Sequence, residues 1–506
     1  MGENDAKKNL RRYLTRAGFC LICTYLVLLI PEEAPPQTAG AGKKPFEWHQ
    51  DQVWANLAQD FVEARSAGQT AVSNRVAKLL RESGRILTGM AQGQNAGPED
   101  LRWQELETNI FKLGPLVAAC PSELPEYAAL VNEVRRQVKE HSTHWDINSD
   151  IARERLYRLL FGSRMAMEEV LLQNPEAADK LSVECDSEPS QTASAVFRGV
   201  RLYSGDILVS RGNAPTSALI SRGNDYAGAF SHVSLLHVDP ATGAASVIHS
   251  LIEKGVVITP LADFGHDRKL RLMVLRPRAT LAEVKADPQV PHKAAAAALE
   301  QARARHISYD FTMNHRDHTA LFCSEVVSAA YEQKGVHLWM GMSRISSTNT
   351  IAWLGSLGVR YFETQEPADL EYDPQLRVSA EWREADALWQ AHLDDAVTDA
   401  MLALAEPGKP LPFTGWKLPF ARVTKGYSVM MNWFGCQGKI PEGMSATTAL
   451  RADRYRADHA EIKARLMGRA TVFKVSRGYS APYWELVRLA KEACGENKRQ
   501  AASGNL

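Results

Sequence analysis

Apolar side chains in the first third of the chain recur at intervals of three and four residues. VWANLAQDFVEARSA, SNRVAKLLRESGRIL and LVNEVRRQVKEH all show this spacing, which predicts amphipathic helices and a helical bundle. Residues 45–195 therefore read as a helical domain that ends in the linker DSEPSQTASA, Asp186 to Ala195. From Val196 the period shortens to two. GDILVSRG, FSHVSLLHVD, ASVIHSLIE, GVVITPL and LRLMVLRP predict short strands separated by Gly, Pro and Asp. An Ala-rich helix (KAAAAALEQARAR), ISYDFT and a further helix beginning at Cys323 follow. Strands followed by helices predict an α+β domain with an antiparallel sheet over residues 196–375. Residues 376–506 return to helical spacing, interrupted by the turn-rich EPGKPLPFTGWKLPF, which is expected to be an exposed crossing segment or lid.

Composition adds little to this. The chain has 506 residues, 45% of them hydrophobic and 23% charged, and Lys plus Arg equals Asp plus Glu at 59 each. That balance gives no reason to expect a nucleic-acid partner. Local charge says more. Lys7, Lys8, Arg11, Arg12 and Arg16 precede an apolar run from Ala17 to Ile30, the order found in export signals. The run is shorter than the roughly 20 residues of a typical span. Residues 1–44 are therefore expected to be a signal or membrane anchor plus flexible linker, with Ala39-Gly40-Ala41 as a distant cleavage site and the body outside the cytoplasm. Cys20 and Cys23 fall within the run. The other five cysteines, Cys120, Cys185, Cys323, Cys436 and Cys494, suit two disulfides and one free thiol in an oxidising compartment, or five unpaired thiols in a reducing cytosol if the chain is not exported.

Cys323 heads the stretch CSEVVSAAYEQKG. Its apolar partners Val326, Val327, Ala330 and Tyr331 place it on the buried stripe, close to the first turn, where unpaired amides and the helix dipole favour a thiolate. A reactive thiolate there is expected to alkylate fast near pH 6. A small buried core cysteine fits the same pattern. His232 in FSHVSLLHVD and His249 in SVIHSLIE lie on strands joined by DPATG. If Asp239 pairs with Ala244, opposed residues sum to 483, and His249 lies diagonal to His232 on the same face, about 7 to 8 Å away at the backbone. A one-residue slip would separate the rings. His315 and His318 have helical ligand spacing but no further ligands to match, and no phosphate loop or zinc motif occurs. Trp339, Trp353, Trp416 and Trp433 are candidates to line a groove.

GDILVSRG, TSALI, FSHVSLL, VIHSLIEKGVVITPLADF, SYDF and LFCSEVVSAAYEQKGV, in this order, resemble the YiiX/YebB-like permuted branch of the NlpC-type papain-like cysteine hydrolases. The resemblance covers about Val196 to Pro374. It implies a permuted papain-like domain flanked by N- and C-terminal helical regions, with Cys323 as nucleophile, His232 as base and His249 as the orienting third group. Relatives often carry glutamate at the third position, so Glu253 is the alternative. No metal or organic cofactor is implied. The implied substrate is an amide in peptidoglycan peptides, or an acyl lipid on the same fold. The remaining alternative is a non-enzymatic envelope scaffold, with the flanking helices binding a partner protein.

Overall fold

The structure is a computed structural model that describes residues 3–32, 44–48, 51–93, 95–178, 183–185 and 188–503. Its strands, in chain order, are β1 Val183–Cys185, β2 Ser194–Phe197, β3 Val200–Tyr203, β4 Ile207–Gly212, β5 His232–Val238 and β6 Ala245–Leu251. They continue as β7 Gly255–Pro260, β8 Lys269–Pro277, β9 Ser343–Arg344, β10 Glu363–Thr364 and β11 Leu376–Trp382. Seven strands form one antiparallel sheet in the order β1-β11-β8-β4-β5-β6-β7. The other four form two short ribbons.

Period-two alternation divides the sheet between two cores. Val209, Val233, Leu235, Ile248, Met273 and Leu275 face a large core shared with the N-terminal helices and with the helices Val290–Ala304 and Cys323–Glu332. Leu208, Leu236, Val247, Leu272 and Val274 face the smaller core of Phe197, Leu202, Leu261 and Phe264. A third core joins the C-terminal helices Ala385–Ala403, Ala446–Arg477 and Tyr483–Ser503 to the helix Thr348–Ser356.

Several expectations change. The boundary at 375 cuts off β11, which pairs with β8 and β1, so the sheet runs on to Trp382. The linker assigned to 186–195 already enters β2 at Ser194, and Thr192 is buried. Cys120, Cys323 and Cys436 are free thiols, so the two disulfides expected among the five cysteines are not both formed. The N-terminal segment forms a helix, Glu3–Leu28, and among the described residues no helix is long and apolar enough to cross a membrane. The proposed linker before Lys44 and its Ala39-Gly40-Ala41 site lie almost wholly outside the described residues. His315 and His318 sit in a loop, which removes the helical spacing that suggested a ligand pair. Trp339 and Trp353 are buried in the cores, whereas Trp416 and Trp433 stand exposed. The turn-rich segment is largely exposed, and its end begins the helix Leu418–Trp433.

Candidate active site

The hairpin register decides whether the histidines meet. Leu235 pairs with Ile248, Leu236 with Val247 and Val238 with Ala245, and the Asp239 amide donates to the Ala244 carbonyl at 2.9 Å. Each pair sums to the expected 483. The rings of His232 and His249 accordingly lie 5.1 Å apart, with His232 Nε2 and His249 Nδ1 at 2.8 Å. On the far side, His249 Nε2 lies 2.9 Å from Thr259 Oγ1 on β7. Glu253 is exposed in the turn between β6 and β7, beyond the end of the strand at Leu251, so it does not stand in for His249.

Cys323 is the first residue of its helix, and the preceding loop is fixed from three directions. Ser250 Oγ donates to the Leu321 carbonyl at 2.6 Å, the Leu321 amide donates to the Ser308 carbonyl at 3.0 Å, and the Phe322 amide donates to Glu325 Oε2 at 2.7 Å. Gly255 is needed for the same packing. It has φ +70°, and a Cβ there would come within 2.0 Å of the Ile307 carbonyl oxygen. By strand alternation Val233, Ile248 and Ser250 point to the face that carries the Cys323 helix, while His249 contacts Phe264 on the other face. The thiol comes near β5 at its first residues, where the Val233 N–H works to lower its pKa. Cys323 thus lies beside the first residues of β5, and no hydrogen bond joins it to His232 in this conformation.

The site is electrically neutral. Burial pushes the Cys323 thiol up to about 12, and the nearby Glu366 adds to the rise, while hydrogen bonds from Val233 and Ser324 oppose it. The thiolate expected from the helix position is therefore not the resting form, because the cost of burying its charge exceeds the help of the helix terminus. Burial, the neighbouring His249 and Lys269 hold His232 well below the usual histidine range. Burial also lowers His249, to about 4. Glu325 is pushed up to about 9 by burial, and Glu366 well above its ordinary value by burial and by Asp369.

This arrangement links Thr259, His249 and His232 in one hydrogen-bonded chain. His249 Nδ1 is an acceptor when its Nε2–H donates to Thr259, and the acceptor selects the His232 tautomer with its proton on Nε2. His232 Nδ1 is then the ring's acceptor nitrogen. Cys323 and Ser324 supply first-turn amides that the helix itself does not use, which can bind a developing oxyanion. Sequence reasoning missed Thr259, Tyr309 and Glu366. Thr259 pairs with Val247, so the strand register would have placed it on the His249 face. Tyr309, whose hydroxyl is raised by burial and by Cys323, lies in the quoted SYDF motif. Glu366 gave no local signal.

Residues 201–378 match the family model described as "Permuted papain-like amidase enzyme, YaeF/YiiX, C92 family". A solved structure of the metalloprotein yiiX from Escherichia coli O157:H7 is 19% identical over 35% of this chain and 94% of its own, with a TM-score of 0.28. That likeness is too slight to carry argument. No curated protein matches.

Proposed function

With a permuted papain-like amidase domain over residues 201–378 as premise, we propose that the chain hydrolyses an amide bond in the peptide part of peptidoglycan through a Cys323 thioacyl-enzyme. One observation carries the assignment of residues. His232 Nε2 lies 2.8 Å from His249 Nδ1, and the residue next to His232, Val233, is the one whose N–H works to lower the Cys323 thiol pKa. In the first step Cys323 Sγ attacks the amide carbonyl carbon as its proton passes to His232 Nδ1. The tetrahedral intermediate then collapses, the C–N bond breaks, and His232 returns the proton to the leaving amine. Water, deprotonated by His232, attacks the thioester carbonyl and releases the carboxylic acid and the free thiol. Because thiol and imidazole are both neutral at rest, proton transfer accompanies attack and no standing ion pair is needed.

The basic flank and apolar run of residues 7–30 support placement outside the cytoplasm, where peptidoglycan lies. A second reading, hydrolysis or transfer of an acyl group on a lipid, draws support from the many apolar side chains left exposed in segments 13–30 and 416–434. The test is to incubate residues 44–506 and the full chain, each as wild type and as Cys323→Ala, with peptidoglycan fragments and with acyl lipids, resolving products by mass. Release of a peptide by the wild type alone is the expected result. Release of fatty acid by the wild type alone selects the lipid reading, and no product from either substrate removes the hydrolase assignment.

A further inference from the structure

The helix Leu418–Trp433 is amphipathic in the wrong sense for a helix that meets water. Phe420, Val423, Tyr427, Met430 and Trp433, spaced by three and four residues, form a stripe that faces solvent, with Trp433 85% exposed. The side that faces the protein carries polar groups besides the buried Leu418 and Pro419 at the helix start. Ser428 is fully buried and accepts the Ile440 amide at 3.1 Å, and Lys425 donates to the Pro441 carbonyl at 2.8 Å. The N-terminal helix Glu3–Leu28 continues this surface. Arg422 donates to the Val27 carbonyl at 3.2 Å and the Ile30 carbonyl at 2.6 Å, satisfying the end of that helix. Tyr25 Oη donates to the Trp416 carbonyl at 3.4 Å. Most of the large apolar side chains left exposed in the described residues belong to these two segments.

We infer that this combined face docks in the interfacial plane of an anionic lipid bilayer without crossing it. Length and charge identify the occupant. The apolar run is too short for a typical span of roughly 20 residues, and no described helix is long and apolar enough to cross. Residues 6–30 contain five basic and no acidic side chains, and residues 407–441 contain Lys409, Lys417, Arg422, Lys425 and Lys439 with no Asp or Glu. Exposed apolar and aromatic side chains on two segments whose sequences carry only basic charges suit a lipid interface with negative headgroups. A second copy would bring like charges together.

The face also leads to the catalytic corner. The loop that follows the helix places Gly443, at φ +77°, so that a Cβ would meet the Phe311 ring at 3.3 Å, and Glu442 bonds His306 Nε2 at 2.8 Å. Phe311 packs on Tyr309 at 5.0 Å between ring centroids, and Tyr309 lies beside Cys323. Docking would present the hydrolase to substrate at the membrane surface. This consequence rests on the proposed function, whereas the docking itself does not.

Co-sedimentation of the full chain with vesicles tests the docking separately from catalysis. Wild type and Cys323→Ala are expected to bind phosphatidylcholine vesicles containing phosphatidylglycerol equally, and more weakly in high salt or on pure phosphatidylcholine. The double substitution Tyr427→Ser/Trp433→Ser, at exposed positions, is expected to lower partitioning by about tenfold or more with an unchanged thermal melt. A second variant, Phe19→Ser/Ile22→Ser, should act in the same direction. Absence of wild-type binding would overturn the docking, as would undiminished binding by both double variants. So would a wild-type oligomer, seen by light scattering, that the substitutions convert to monomer without any vesicle binding.

Discussion

One sheet carries two buried polar sites whose charge states are opposite. At the β11 and β8 side, Glu381 accepts from Arg164 Nε at 2.9 Å, Arg135 at 2.9 Å and Arg383 at 2.8 Å. Nearby, Arg271 bridges Glu168 at 2.7 Å and Asp395 at 3.0 Å, and Arg211 also bonds Asp395 at 3.0 Å. Burial opposes ionisation of Glu381, yet the guanidiniums of Arg164, Arg383 and Arg135 outweigh it and hold the carboxyl well below its ordinary range. At the β5 and β6 end the same cost of burial meets no opposite charge of comparable strength, so the pKa values of Cys323, Glu325, Glu366, His232 and His249 all shift in the direction that favours the neutral form. The first site joins N-terminal helices, the sheet and the helix Ala385–Ala403. The second is left uncharged, which suits proton transfer between thiol and imidazole.

The largest expected effect follows from the neutral site. Cys323→Ala should reduce hydrolysis by about 10³-fold or more while leaving the melting temperature close to wild type, because a small buried thiol with no charged partner is replaced by a methyl. Matched amide substitutions then compare the two sites directly. Glu381→Gln removes the charge facing three guanidiniums and should destabilise the fold by about 3–5 kcal/mol in urea unfolding. Glu366→Gln replaces a carboxyl whose neutral form is favoured by burial and by Asp369, and should change stability by less than about 1 kcal/mol. Equal losses at the two positions would show that the difference in charge state is not real.

Acid should separate the sites as well. The folded-state pKa of His249, about 4, lies below its ordinary 6.5, so between those values the unfolded chain binds the proton that the folded chain refuses. Its contribution to stability is therefore lost as pH falls from 6.5 towards 4. Glu325, raised to about 9, acts in the opposite direction over part of that range, so total stability is a poor reading of either group. The stability difference between wild type and His249→Asn isolates the histidine. It should shift against the wild type by as much as about 3 kcal/mol on acidification from pH 6.5 to 4. A constant difference would mean that His249 is not buried neutral.

The sheet and the histidine pair were legible because both depend on local period and register. Alternation in FSHVSLLHVD and ASVIHSLIE, with a loop whose length pairs Asp239 with Ala244, is enough to bring the two rings together. The state of the thiol was not legible. A helix N-terminus can be read from Cys323 and the residues after it, but the desolvation that dominates its pKa comes from packing by distant segments, Glu366 among them. β11 was missed for a similar reason. Its sequence, LRVSAEW, runs straight into a helical pattern, and only pairing with β8, about a hundred residues earlier, makes it a strand. The ion-pair network was hidden because most of its arginines and carboxylates come from positions a hundred or more residues apart, as with Arg164 and Glu381.

The smallest expected effect lies at the end of the hydrogen-bonded chain from His232 and distinguishes positioning from packing. Thr259→Val keeps the volume and strand preference of the side chain but removes the oxygen that lies 2.9 Å from His249 Nε2. His249 then has no fixed reason to present Nδ1 as an acceptor, and the His232 tautomer that leaves Nδ1 as the ring's acceptor becomes one of several. If Thr259 acts through His249, kcat should fall about three- to tenfold with KM little changed, and Thr259→Ser, which restores the hydroxyl, should recover most of the rate. A purely structural role would instead lower the melting temperature in both variants and leave kcat of the folded enzyme unchanged. Recovery by serine would place control of the neutral site in a chain of uncharged hydrogen bonds, where the opposite side of the sheet relies on ion pairs.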